Sequence, residues 1–312
     1  MFKKTLLVKP DITNLLVGNN PRFAYCAADS LYTYDIVENR IIQRLPKTRY
    51  SQIALSGDGT LLAAIRPVGL NTEVIFYHIE KQLYEEMRVL ISTEISSILP
   101  CFSVDNSFLF VCSYDKLWKI ACQTGDAECI YQCQQTEMIM SISVNSKGIL
   151  LSIYNQKEIV RESFMLMIDY NGNVMWKCGL LAINAFSDLH SFCCKWLSND
   201  SFIFLQERAG WRSHIQIFTL PFSKHLITNT VSLDLSFSIT ENCVSASYDQ
   251  QYFVLGGTEY CDGRIQNTVM LFHIPTFKEV YTEHFDFLWT IQFFLTRPTL
   301  IICSNKQYFI DL

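Results

Sequence analysis

What this chain of 312 residues lacks narrows its possibilities first. No stretch approaches the roughly 18 consecutive apolar residues that a membrane-crossing helix requires. Acidic side chains outnumber basic ones, 30 to 25, for a formal net charge of -5. The basic excess of a phosphate-backbone binder is therefore missing, and neither nucleic acid nor a membrane is expected as a partner. No G-x-S-x-G elbow, H-E-x-x-H pair or phosphate-cradling glycine loop occurs, so the common marks of serine hydrolases, zinc peptidases and nucleotide binders are absent. No long segment is drained of apolar residues or crowded with charge, and 49% hydrophobic residues supply an ample core.

Cysteine is plentiful at 12 residues, yet no C-x2-C knuckle is formed. Cys122, Cys129 and Cys133, with Cys101 and Cys112 nearby, come nearest to a zinc set but lack its spacing. No metal and no cofactor are expected. Cys26, Cys112 and Cys303 fall inside apolar runs, where a thiol behaves as a small core residue. A reducing, cytoplasmic compartment is the expectation. The opening MFKKTLLVKP has an apolar stretch of only Leu6 to Val8 before Lys9, Pro10 and Asp11, too short for a secretion signal.

What is present is a repeat. An apolar residue, a variable one and a second apolar residue close a strand-like run at Tyr34, Tyr77, Ile120, Ile168, Phe218, Phe272 and Ile310, spaced 43, 43, 48, 50, 54 and 38 residues apart. Upstream of each copy a polar turn leads into an apolar strand, as in SGDGTLLAAI from Ser56 and SVDNSFLFVCS from Ser103. A period of this length carried by strands implies an all-β, seven-bladed β-propeller with four strands per blade, a single domain over residues 1–312. The last copy ends at Leu312 without a fourth strand, and residues 2–9 have no other assignment. They are expected to supply that outer strand and to close the ring, leaving a monomer without an exposed seam.

ADSLYTYDI at Ala28, YDKLWKIAC at Tyr114 and SNKQYFIDL at Ser304 align without a gap, each with Asp or Asn in a turn and an aromatic before the motif. In this the chain resembles the WD-repeat family over its whole length. Tyr34-Asp35, Ile168-Asp169 and Ile310-Asp311 stand at the position of that family's Trp-Asp pair. No motif here has an actual Trp-Asp and no Gly-His precedes a blade, so the family's hydrogen-bond network does not carry over.

The segments between second and third strands differ in length: 10 to 12 residues separate strand start and motif in blades one, three and seven, and 16 to 20 in blades two, four, five and six. The longer ones are expected as raised loops bearing Arg66, Arg161, Arg208, Trp211, Arg212, Tyr260 and Arg264. Arg, Trp and Tyr are the usual anchors of protein interfaces. The plainer reading of the same segments is long hairpins with solvated charges. Trp118, Trp196 and Trp289 sit in strands and are assigned to packing, and His78 and His273 fill the variable slot of the motif.

The candidate innermost strands, among them TNLLV, QIAL, FCCKW and CVSA, offer Asn14, Gln52, Lys195 and Gln292 but no histidine or carboxylate. A noncatalytic interaction platform binding a protein or peptide through the loop face of blades four to six is therefore the leading expectation. The alternative is a hydrolase or lyase with a small-molecule pocket at the channel mouth.

Overall fold

The structure, a computed structural model, describes residues 3–7, 14–17, 23–27, 31–35, 38, 40–44, 52–79, 84–93, 100–156, 161–179, 192–208, 212–219, 229–247, 249–261, 263–286, 288, 290–293, 299–303 and 307–312. All regular elements among them are strands, grouped in seven four-stranded sheets. After β1 (Lys3–Leu7) the first sheet contains β2 (Asn14–Val17), β3 (Phe23–Ala27), β4 (Leu31–Asp35) and β5 (Arg40–Arg44). The second holds β6 (Gln52–Leu55), β7 (Leu61–Val68), β8 (Asn71–His78) and β9 (Tyr84–Ile91), and the third β10 (Cys101–Phe102), β11 (Phe108–Cys112), β12 (Lys116–Ala121) and β13 (Ala127–Gln132). The fourth has β14 (Glu137–Asn145), β15 (Gly148–Gln156), β16 (Arg161–Ile168) and β17 (Val174–Gly179). The fifth has β18 (Phe192–Trp196), β19 (Ser201–Arg208), β20 (Arg212–Thr219) and β21 (Asn229–Leu235). The sixth has β22 (Ser238–Ala246), β23 (Tyr252–Cys261), β24 (Arg264–His273) and β25 (Lys278–Phe285). In the seventh, β26 (Thr290–Phe293), β27 (Thr299–Cys303) and β28 (Gln307–Asp311) are completed by β1, which runs antiparallel to β28 from Lys3 opposite Asp311 to Leu7 opposite Gln307. This is the pairing expected for residues 2–9.

Contacts divide the chain into two compact units. One comprises Met1–Tyr50, Gly210–Ser213 and Asp234–Leu312, and the other Ser51–Ala209 and His214–Leu233. In the second unit the core lies between successive sheets. Ile65, Val74 and Phe76 of the second sheet meet Leu109, Val111 and Ile120 of the third. Phe110 and Leu117 of the third meet Ile149, Leu151 and Leu166 of the fourth, and Leu150 and Met165 of the fourth meet Trp196, Phe202 and Phe204 of the fifth. In the first unit, Val254, Val269 and Leu271 of the sixth sheet meet Ile291, Leu300 and Ile302 of the seventh. A sheet covered on both faces needs apolar residues on both sides of its central strands, which is why LLAAI and FLFVC read as unbroken apolar runs instead of alternating. The motif residues Tyr77, Ile120, Ile168, Phe218, Phe272 and Ile310 are all buried.

First strands of neighbouring sheets lie side by side: β6, β10, β14 and β18 in one unit, β22, β26 and β2 in the other. Their edges are bracketed by serines. Ser141 Oγ accepts the Cys194 N–H at 2.8 Å, Ser143 Oγ the Trp196 N–H at 3.0 Å, and Ser245 Oγ the Phe293 N–H at 3.2 Å. Two first strands start earlier than expected. β14 begins at Glu137 and β22 at Ser238, so Glu137 and Glu241 belong to strands read as free of carboxylates. Register shifts after Ile139 and Ile239 explain the miss, because a bulge changes the phase of the apolar alternation at that point.

A further irregularity recurs between third and fourth strands. Five sheets shift register there, at Thr33/Tyr34, Phe76/Tyr77, Leu117/Trp118, Met167/Ile168 and Leu271/Phe272. One residue of the outer strand, Ile42, Glu86, Ile130, Met175 or Val280, is left without an opposite number. The β1–β28 pairing runs without any shift.

Candidate functional site

In the second and sixth sheets the segments expected as raised loops are strands instead. In the second sheet β7 and β8 pair in register out to Val68 opposite Asn71, and in the sixth β23 and β24 do so out to Cys261 opposite Arg264. Only two residues cross over in each. The extra length has gone into projecting hairpins because Val, Thr, Tyr and Ile at alternate positions favour a continued ladder.

In the second sheet Arg66 lies opposite Glu73 and forms an ion pair with it, and Arg88 of β9 reaches the same carboxylate at 3.6 Å. Thr72 Oγ1 donates to the Thr93 carbonyl at 2.8 Å. Arg66 thus braces the hairpin. The groups left to solvent at this tip are apolar: Val68 is 43% exposed and Leu70 85%.

The sixth-sheet hairpin outruns both of its neighbours. β22 starts pairing at Ser238 opposite Thr258, and β25 stops at Phe285 opposite Asn267. Beyond those points Tyr260 and Ile265 stand directly opposite one another, 59% and 60% exposed, and Arg264 is exposed at the turn. The base beneath them is tightly held. Thr268 Oγ1 and Gln266 Nε2 donate to Glu259 Oε2 at 3.1 and 3.4 Å, and Thr268 Oγ1 also lies 3.0 Å from His284 Nδ1. Partial burial works to raise the Glu259 carboxyl, but hydrogen bonds from Ser236, Thr268 and Gln266 and the nearby His284 outweigh it and hold Glu259 below the usual range. On the other side Asn267 Nδ2 donates to the Asp286 carbonyl at 3.0 Å. Gly257 is required here, since a Cβ would come within 1.9 Å of the Ser238 carbonyl oxygen on the bulged β22.

The remaining expected site residues are less fully described. Arg161 opens β16 opposite Gln156, Arg208 ends β19 and Arg212 opens β20. Trp211 lies outside the described residues, as do Glu158, Asp262 and Trp289. Arg66, Arg161 and Arg208 belong to one unit, and Arg212, Tyr260 and Arg264 to the other. Sequence reasoning missed Val68, Leu70 and Ile265. Alternation continuing into the supposed loops would have revealed them.

The tryptophans and histidines of the strands behave structurally. Trp196 packs edge-on against Phe202 at 5.2 Å, and Trp118 joins the core between the second and third sheets. His273 Nδ1 lies 2.9 Å from Thr276 Oγ1. Of the cysteines near Cys101 and Cys112, Cys122 packs against the core between the second and third sheets, and Cys133 lies in the core between the third and fourth. Burial, with the Asp105 charge, pushes Cys122 up to about 12, and burial, with Glu137 and Asp115, does the same to Cys133.

No protein-family model matches this chain, and no curated relative does either. Solved structures do. The chain is similar to the β-propeller domain of Cps50 (Swd1) from Myceliophteria thermophila, with a TM-score of 0.71 over 99% of this chain and all of that one at 10% identity. It is also similar to hydrazine synthase from Kuenenia stuttgartiensis, with a TM-score of 0.70 over 98% and 97% of the two chains at 11% identity. The fold is a β-propeller. Two neighbours with such different names also illustrate that the fold by itself assigns no activity.

Proposed function

We propose that this protein is a noncatalytic interaction platform: a monomeric, cytoplasmic, seven-bladed ring, closed by β1, that docks a protein or peptide through hairpins of blades four to six. The observation that carries the reading is the sixth-sheet hairpin. Tyr260 and Ile265 hold a large apolar area in water on a base fixed by Glu259, Thr268, His284 and Asn267. Anchors already ordered before binding lose little freedom when a partner arrives. Arg264 stands on the same hairpin, and Arg161, Arg208, Trp211 and Arg212 are the further candidate contacts.

The test is capture from native extract with wild type, with Tyr260→Ala plus Ile265→Ala, and with Trp211→Ala plus Arg212→Ala, each checked for an unchanged melting midpoint. Loss of at least one partner by about tenfold in either variant, the effect of removing an interface hot spot of about 1.4 kcal/mol, is expected. Equal recovery of every protein by all three would remove the reading.

A further inference from the structure

The seventh sheet is built differently from the other six. Every other outer strand is joined to the strand it pairs with by four to nine residues of chain, so the two separate and return as one unit. β1 pairs with β28 alone, and its short tether, residues 8–13 with Pro10, leads to β2 in another sheet. No turn returns β1 to β28. Its five-residue ladder is also straight, whereas five other outer strands have an extra residue that bends the edge. When β1 leaves, β28 presents a flat row of unpaired backbone groups, the kind of edge that accepts another strand.

We propose that the outer edge of β28 is a strand-exchange site, where β1 of one copy is replaced by β1 of a second copy. The segment that fits this edge in register is KKTLL, and a second copy supplies it unchanged. Exchange of an identical element is a low-cost route to a dimer, because the swapped state repeats contacts already present in the single chain. The inference depends only on the β1–β28 pairing and is independent of partner docking at the hairpins.

Thr5 and Phe309 are directly opposite, so Thr5→Cys with Phe309→Cys provides a reversible lock. The full chain, concentrated and warmed close to its melting midpoint, should form a dimer by light scattering under reducing conditions. Oxidation of the double variant beforehand should lower that yield by about tenfold or more, because the tethered strand outcompetes a free one. Wild type oxidised in the same way controls for the 12 native cysteines. A labelled peptide of residues 2–9 should enter wild type saturably, and the same peptide with Leu6→Pro should not. No dimer from the reduced protein, equal dimer from the locked one, or equal uptake of both peptides would overturn the proposal.

Discussion

In three of the polar turns between first and second strands, a serine and an aspartate two residues on organise the backbone. Ser103 Oγ donates to Asp105 at 2.6 Å and accepts the Phe108 N–H at 3.0 Å, and Asp105 accepts from Ser107 Oγ at 2.8 Å. Ser56 with Asp58 and Ser247 with Asp249 repeat the arrangement. Position four of these turns is left-handed in all three, at Gly59, Asn106 and Gln250, with φ of 69°, 60° and 58°. The hydroxyl hydrogen bonds of Ser103 and Ser107 hold the Asp105 carboxyl below its usual value, more than burial raises it. A folded-state value below the unfolded one means that this contribution is present above about pH 4 and is lost as pH falls through the folded value. The urea midpoint should therefore fall from pH 5 to pH 2, and Asp105→Asn should flatten that slope. At the opposite extreme, Thr33 Oγ1 is buried without a hydrogen-bond partner. Thr33→Val keeps the shape and removes the unsatisfied hydroxyl, so it should stabilise by about 1 kcal/mol in urea unfolding. Serine and aspartate at turn positions were readable in the sequence. Thr33 was not, because nothing in the residues around it states whether a hydroxyl finds an acceptor.

Elements join one another here through edges as well as faces. The serine brackets satisfy first-strand N–H groups that have no ladder partner, and a buried donor left alone costs about 1 to 3 kcal/mol. Ser143→Ala, which orphans the Trp196 N–H, should lower stability by about that much in urea unfolding, while Ser146→Ala on the surface should stay within about 0.5 kcal/mol. At the outer side, the recurrent bulge places Ile42, Met175 and Val280 in solvent on edges that would otherwise invite pairing. The unbroken runs of second and third strands made these elements legible from the residues alone. Bulges did not show, since an extra residue only shifts the alternation. For the same reason Glu137 and Glu241 were left out of their strands, and the long hairpins were taken for loops.

For the whole molecule, the decisive interaction is the one most remote in sequence. Deleting residues 1–9 removes a full strand from the seventh sheet and exposes β28, so it should cost several kcal/mol, unlike the loss of an ordinary frayed end. Thermal melting of the truncated protein should show a fall of about ten degrees or more, or no cooperative transition at all. This pairing was legible as an arithmetic remainder: six repeats carried their own fourth strand, and the seventh did not. The candidate surface was legible only in part. Tyr260 and Arg264 are exposed on their hairpin, whereas Arg66 is committed to Glu73 inside its own sheet.

The seam also sets an order of events during synthesis. Lys3 to Leu7 are made well before their partner, Gln307 to Asp311, and every strand of the six other sheets is made in between, so the segment waits for its pairing. Throughout that interval Leu6 and Leu7 remain without the strand they later pair with. Chaperone protection of the nascent chain should therefore matter at Lys3–Leu7 long after the segment itself has been made.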